Sequence, residues 1–222
     1  MKNNLTALLL IAVLLFVFTF SLLFTETYAQ PNQKIIEVGE EITYVVKYLS
    51  FEIGEIKLIV QKEQLVDGDT LYSAIAYINS YEGIPFVDLH QIYETKFDTK
   101  QISHYFKGSV LADDTTFTKY HFNKNKNDIH IVKGRERTND IWTDTTIAYN
   151  RDYQDGLSLF YFARIRTGQE KKVNVPVFIN EKYEKTYINF YKEVEDMEID
   201  AVDYYISCVR LDGETEFRGI FG

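Results

Sequence analysis

The chain has 222 residues, with 17 Tyr, 16 Phe, 3 Pro, one Cys and a formal net charge of -9. An acidic chain without a basic stripe argues against nucleic acid as a partner. The lone Cys208 excludes an internal disulfide, so stability has to come from a packed core, and this many aromatics with so few prolines fit a β-rich one.

The N-terminus reads Met-Lys-Asn-Asn, then an apolar run from Leu5 to Phe24, then small residues at Thr27 and Ala29. These are the parts of a secretory signal, so residues 1–29 are expected to form a signal helix cleaved after Ala29 and to direct the protein to the periplasm. The run is also nearly long enough to span a bilayer, which leaves an uncleaved inner-membrane anchor over residues 5–24 as the alternative. No Cys follows it, so a lipoprotein anchor is not indicated. Residues 30–222 read as one β-rich domain.

After a polar lead-in, Gly39 to Tyr48 alternates, with Ile42, Tyr44, Val46 and Tyr48 on one side of a half-buried strand. Gly54 is expected to mark a turn, and Ile56, Leu58 and Val60 a second strand. Asp67-Gly68-Asp69 predicts a hairpin turn. Leu71 to Ile78 is apolar on both faces and reads as a central strand, and a loop around Gly83 and Pro85 follows. His90–Phe97 and Gln101–Lys107 are strands joined by Asp98-Thr-Lys100.

Thr115–Asn123 and Asp128–Val132 form a hairpin whose paired residue numbers sum to 251. Tyr120 then faces Ile131 and Phe122 faces Ile129, and His121 lies across from His130 on the opposite side. Gly134–Gln154 reads as polar and turn-rich, with Trp142 as an isolated anchor. Val173–Ile179, Lys185–Val194 and Ala201–Leu211 are three further strands, the last two joined by an acidic link.

The one mature helix is predicted over 156–167. Leu157, Phe160, Tyr161 and Arg164 share a face at i, i+3, i+4 and i+7. Asp155 or Ser158 can cap its start and Gly168 suits its end, while Arg164 and Arg166 sit where the dipole favours cations. Leu159, Phe162 and Ile165 make other faces apolar too, the mark of a buried helix. Phe160 and Tyr161 are expected to be buried against a sheet. Arg164 is expected to meet a carboxylate or carbonyls from a strand, because its charge cannot be buried alone.

These residues resemble the bacterial exported family called domain of unknown function 3108. The likeness runs through Gly39-Glu-Glu-Ile-Thr-Tyr-Val-Val-Lys-Tyr48, Ile53-Gly-Glu-Ile, Tyr93-Glu-Thr-Lys-Phe-Asp98, the set Asp155, Ser158, Tyr161 and Arg164, and Val175-Pro-Val-Phe178. At Glu198-Ile-Asp-Ala-Val-Asp203 the chain lacks the Gly-containing turn that members often carry. The resemblance covers most of residues 39–222. It implies fold and location rather than an activity, and it implies further C-terminal strands, so the chain is expected to be truncated.

The fold expected is mostly β: an antiparallel curved sheet or partly closed β-barrel with one packed helix. The function expected is a non-catalytic module that binds an apolar or lipid-like ligand, lined by Ser158, Tyr161 and Arg164. The alternative is a structural or protein-interaction component of the cell envelope, with envelope proteins as partners. No Gly-x-Ser-x-Gly elbow and no phosphate-binding glycine loop is present, and no cofactor is indicated. His121 and His130 are the only metal candidates, with Asp128 or His104 as conceivable third ligands. The plainer reading is two polar residues on the solvent face of a hairpin. The acidic residues from Glu193 to Asp203 lack the spacing of a calcium loop.

Overall fold

A computed structural model describes residues 36–85, 87–167, 170–198 and 205–215. Residues 1–29, expected to be a signal segment, Gly168 and the closing stretch 217–222 lie outside the described residues, as does the Cys208 side chain.

Eight strands follow one another in an antiparallel meander, each hydrogen-bonded to the next. They are β1 (Glu41–Tyr48), β2 (Phe51–Val66), β3 (Asp69–Ser80), β4 (His90–Phe97), β5 (Ser103–Val110), β6 (Thr116–Asn123), β7 (Asp128–Arg135) and β8 (Ile141–Ala148). The single helix among the described residues, α1, spans Ser158–Ile165. After it, β9 (Lys171–Ile179), β10 (Lys182–Glu198) and β11 (Tyr205–Thr215) form a second antiparallel sheet in the order β11-β10-β9. The large sheet is open, with β1 and β8 as its edges, so it is not a barrel.

The hairpin registers follow from local chemistry. Asp67 and Gly68 both adopt positive φ, as a two-residue turn matched to the strand twist requires. Tyr120 pairs with Ile131, His121 with His130 and Phe122 with Ile129, as alternation predicts. The central strand β3 buries Ser73 to Ala76 and Ile78.

Three features of the large sheet depart from the sequence reading. Gly54 lies inside β2, not at a turn; the turn falls at Leu49 and Ser50, both at positive φ. The physical need at Gly54 is close approach, because a Cβ there would lie 2.3 Å from the backbone oxygen of Asn79. The stretch assigned to turns contains β8. Its Thr143, Thr145 and Ile147 stand opposite Lys133, Ile131 and Ile129, so the inward side is mostly threonine and the strand has no apolar period. Trp142 is no buried anchor but half exposed, at the residue skipped where the β7–β8 register shifts.

The helix lies between the two sheets. Leu157 and Tyr161 pack on Leu58, Val60, Ala74, Ala76 and Phe97 of the large sheet, and Tyr161 stacks on Phe97 with ring centroids 5.0 Å apart. On its other side Phe162, with Leu159 and Ala163, packs on Val175, Val177, Ile188 and Phe190 of the small sheet. Two packed faces explain a helix that is apolar nearly all round. Phe160 is the exception to expectation: it is 37% exposed and touches Tyr44 at the sheet margin. The third core cluster joins Phe106, Tyr120, Phe122, Ile129 and Ile131 of the large sheet to Phe178 of β9.

Gly54→Ala is expected to keep the fold but force β2 and β3 apart locally. A loss of about 1–3 kcal/mol is expected for such overpacking, read from the denaturant midpoint against wild type.

Candidate binding groove between sheet and helix

The segment Tyr153-Gln154-Asp155 ties the groove together. The Ser103 N–H donates to the Tyr153 carbonyl at 3.1 Å, the Gln154 N–H to Pro176 at 3.0 Å and the Phe178 N–H to Gln154 at 2.8 Å. One short strap therefore bonds β5 on one side and β9 on the other.

Asp155 is completely buried. Its Oδ2 accepts from Thr95 Oγ1 at 2.6 Å and Ser103 Oγ at 2.7 Å. Its Oδ1 accepts the N–H groups of Leu157 at 2.8 Å and Ser158 at 2.9 Å, which caps α1 as anticipated for Asp155. The Asp155 N–H donates in turn to Ser103 Oγ and Ser158 Oγ. Burial pushes the Asp155 carboxyl pKa up, opposed by these donors.

Of the residues proposed to line a ligand site, Ser158 is fully buried inside this network, 2.8 Å from Ser103 Oγ. Tyr161 is 1% exposed and its hydroxyl has no hydrogen-bond partner among the described residues. Arg164 donates in a bidentate fork to Glu40, at 2.8 and 2.6 Å. The carboxylate expected from a strand comes from the residue just before β1, whose carbonyl accepts from Val60 N–H.

Beside the start of the helix, two cavities share Tyr93 and Gly156. One, of about 240 Å³, is apolar and lined by Ile56, Leu58, Ala76, Ile78, Leu157 and Phe160. The other, of about 230 Å³, lies over Phe106, Gly108 and Tyr120 and reaches Lys133, Asn180 and Glu181. Gly108 pairs with Tyr93 across the β4–β5 ladder, and a Cβ there would press on the Tyr93 and Phe106 rings at 3.3 Å. Glu181 sits at the β9–β10 turn with positive φ. It accepts from Tyr120 OH at 2.7 Å and Lys133 Nζ at 3.1 Å. Burial, then Glu181, raises the Tyr120 pKa. Together the cavities fall within the roughly 300–1,000 Å³ of small-molecule sites. Their alternating contributions from β2 to β7 are visible in the strand pattern, but Gly156 and Glu181 carry no such signal.

The histidines lie elsewhere. His121 and His130 are cross-strand neighbours with ring centroids 6.2 Å apart. His130 Nε2 is 2.7 Å from Asp144 Oδ1, and the His121 ring leans on Tyr105. Burial and His130 lower the His121 pKa. His104, skipped where the β4–β5 register shifts, sits 3.2 Å from Asp98 and lines with His121 a polar cavity of about 480 Å³ at the end of the sheet. No group of three or more His, Cys, Asp or Glu side chains placed to hold a metal occurs among the described residues. Asp98 is 5% exposed and accepts from Lys124 Nζ at 2.6 Å and from the Lys100 and Ile102 N–H groups. Burial alone would raise its pKa, but the His104, Lys124 and Ile102 hydrogen bonds outweigh it and hold the carboxyl far below its ordinary 3.8.

An open eight-stranded meander carries a helix and a small sheet over one face, with two cavities beside the start of the helix. Residues 43–220 match the family described as protein of unknown function (DUF3108), and the chain belongs to that family. Comparison with curated proteins and with solved structures returned no match.

Three predictions concern these side chains. Asp98 has a depressed folded pKa, so its stabilising contribution is present above pH 3.8 and is lost as pH falls from there towards the folded value. Asp98→Asn should flatten that acid limb of a stability-versus-pH curve, and an unchanged limb would show that the contacts of Asp98 are energetically idle. Arg164→Ala and Glu40→Ala should each lower the melting temperature, with a coupling of about 0.5–3 kcal/mol in the double-mutant cycle. Tyr161→Phe removes only an unpaired buried hydroxyl and should leave stability equal or higher.

Proposed function

We propose that this chain is a non-catalytic binding module for an amphiphile, a molecule with an apolar chain and a polar end. The observation that carries the reading is the junction of two unlike cavities at Tyr93 and Gly156. The apolar one beside Leu157 suits a hydrocarbon chain. The other ends on Lys133, whose ammonium has donors beyond the one given to Glu181 and can meet a polar head. Binding is favoured over catalysis because both Glu181 oxygens are already engaged by Tyr120 and Lys133. In this reading Leu157, just before α1, and Phe160 on α1 line the site, while Ser158, Tyr161 and Arg164 hold that helix in place behind it.

The secretory features of residues 1–29 support an exported, periplasmic protein, with an inner-membrane anchor over residues 5–24 as the second form. N-terminal sequencing of material from the native host separates them: a start near Gln30 favours cleavage, and a start at Met1 or Lys2 in membranes favours the anchor. A structural or protein-interaction role in the envelope is the competing function, in which the aromatic faces serve only as core.

Native mass spectrometry of the protein from its own host tests the binding reading, with a retained amphiphile expected. Gly156→Leu places a side chain at the junction, where a Cβ meets only Ile179 at 3.9 Å. The variant is expected to fold normally and lose the ligand. A wild-type protein that carries no amphiphile, and takes up none from offered phospholipid, would favour the structural role.

A further inference from the structure

Strand order gives the large sheet two chemically different ends. At one end lie the β1–β2, β3–β4, β5–β6 and β7–β8 connections; at the other lie β2–β3, β4–β5 and β6–β7. The first end carries half of the exposed large apolar side chains among the described residues. Tyr48, Leu49 and Phe51, exposed by 66%, 76% and 73%, project at the β1–β2 turn; Val110 and Leu111 stand at β5–β6; Ile141 and Trp142 stand at β7–β8. At the opposite end Leu65 and Val66 are the exposed apolar pair, beside the polar cavity around Asp98 and His104.

We propose that the end bearing Leu49, Leu111 and Trp142 docks on the surface of a lipid bilayer. Three observations favour a bilayer over a shaped partner. The apolar groups sit on separate turns spread along a sheet edge of roughly 30 Å, at about 4.8 Å per strand. Separate prongs suit a fluid surface that closes around each one. Tyr, Trp and Phe among them are suited to the membrane interface, where amphipathic rings lie at headgroup depth. Finally, the apolar lining is continuous with the groove. A small pocket of about 80 Å³ at this end, lined by Val46, Ile53, Val87 and Leu89, shares Ile56 and Ile78 with the apolar cavity under α1. A hydrocarbon chain leaving the bilayer here meets no charged side chain along that path except Glu55.

The charge at this end selects the kind of surface. Glu52, Glu82, Asp88, Asp113, Glu136 and Asp140 are exposed at this end, against Lys47, Arg135 and Arg137. Like charge disfavours anionic headgroups, so docking is driven by apolar insertion into a zwitterionic surface and is insensitive to salt. The role of the bilayer as the source of the ligand rests on the amphiphile reading above; docking itself is measured independently.

Trp142 is the sole tryptophan of the chain and lies on the proposed surface. The full chain is mixed with phosphatidylcholine vesicles whose acyl chains carry bromine, which quenches tryptophan at membrane depth. The expected result is a blue shift and quenching of Trp142 emission, unchanged by added salt. Attachment through residues 5–24 alone would leave Trp142 unquenched, so the signal reports this end of the sheet. Leu49→Asp with Phe51→Asp should raise the lipid concentration for half-maximal quenching about tenfold or more. Asp is better tolerated than Leu at the positive φ of residue 49, and Leu111→Asp on a second turn gives an independent variant.

Unaltered Trp142 emission with saturating vesicles overturns the proposal. So does a blue shift on concentrating the protein without lipid, which would make this end a self-association surface. Quenching without any amphiphile retained in native mass spectrometry keeps the docking and removes the groove reading. A retained amphiphile with a silent Trp142 does the reverse.

Discussion

The fold depends on one buried carboxylate. Asp155 is completely buried, and a carboxyl group is tolerated there because hydroxyls of Thr95 and Ser103 and two backbone N–H groups converge on it. Those four donors come from β4, from β5 and from the first turn of α1. Satisfying one side chain therefore fixes where the helix begins relative to the large sheet. Gln154, the preceding residue, bonds β9 through its backbone and brings the small sheet onto the other side of the helix.

This constraint also shapes the groove. With the helix start pinned over Thr95 and Ser103, Leu157 falls over Leu58 and Ala76, and Gly156 is left at the point where the two cavities meet. Small residues keep the floor low: Ala74 and Ala76 in β3 and Gly108 in β5 occupy positions where larger side chains would meet the helix or the Tyr93 ring. The apolar stretch near Phe160 and the polar stretch near Glu181 thus belong to one surface with a gradient of polarity. The same gradient distinguishes the two ends of the sheet, one with apolar turns and the other with the Asp98–His104–Lys124 cluster.

Much of the sheet was legible residue by residue. The pairing of Tyr120 with Ile131 and of His121 with His130 follows from a two-residue period and a short polar loop, because a slip of one residue would turn the apolar face outwards. Strand β8 was not legible, since an edge strand with threonine inside has no apolar period to read. Gly54 was misread because glycine serves both turns and close backbone approach, and only the neighbouring strand tells which. Phe160 and Tyr161 are adjacent in sequence and alike in chemistry, yet one lies at the sheet margin and the other in the core.

By itself, the sequence determined the β-rich class, the helix that follows Asp155 with a cap from Asp155 or Ser158, and the family, because periodicity, capping and short motifs are local properties of the chain. That β1 and β8 stay apart, that the helix is held between two sheets, that Glu40 reaches Arg164 across 124 positions, and that two cavities meet at Gly156 were decided by tertiary structure alone. Those facts depend on which distant residues share a buried volume and on how each buried charge finds its donors, and no local pattern encodes such a pairing.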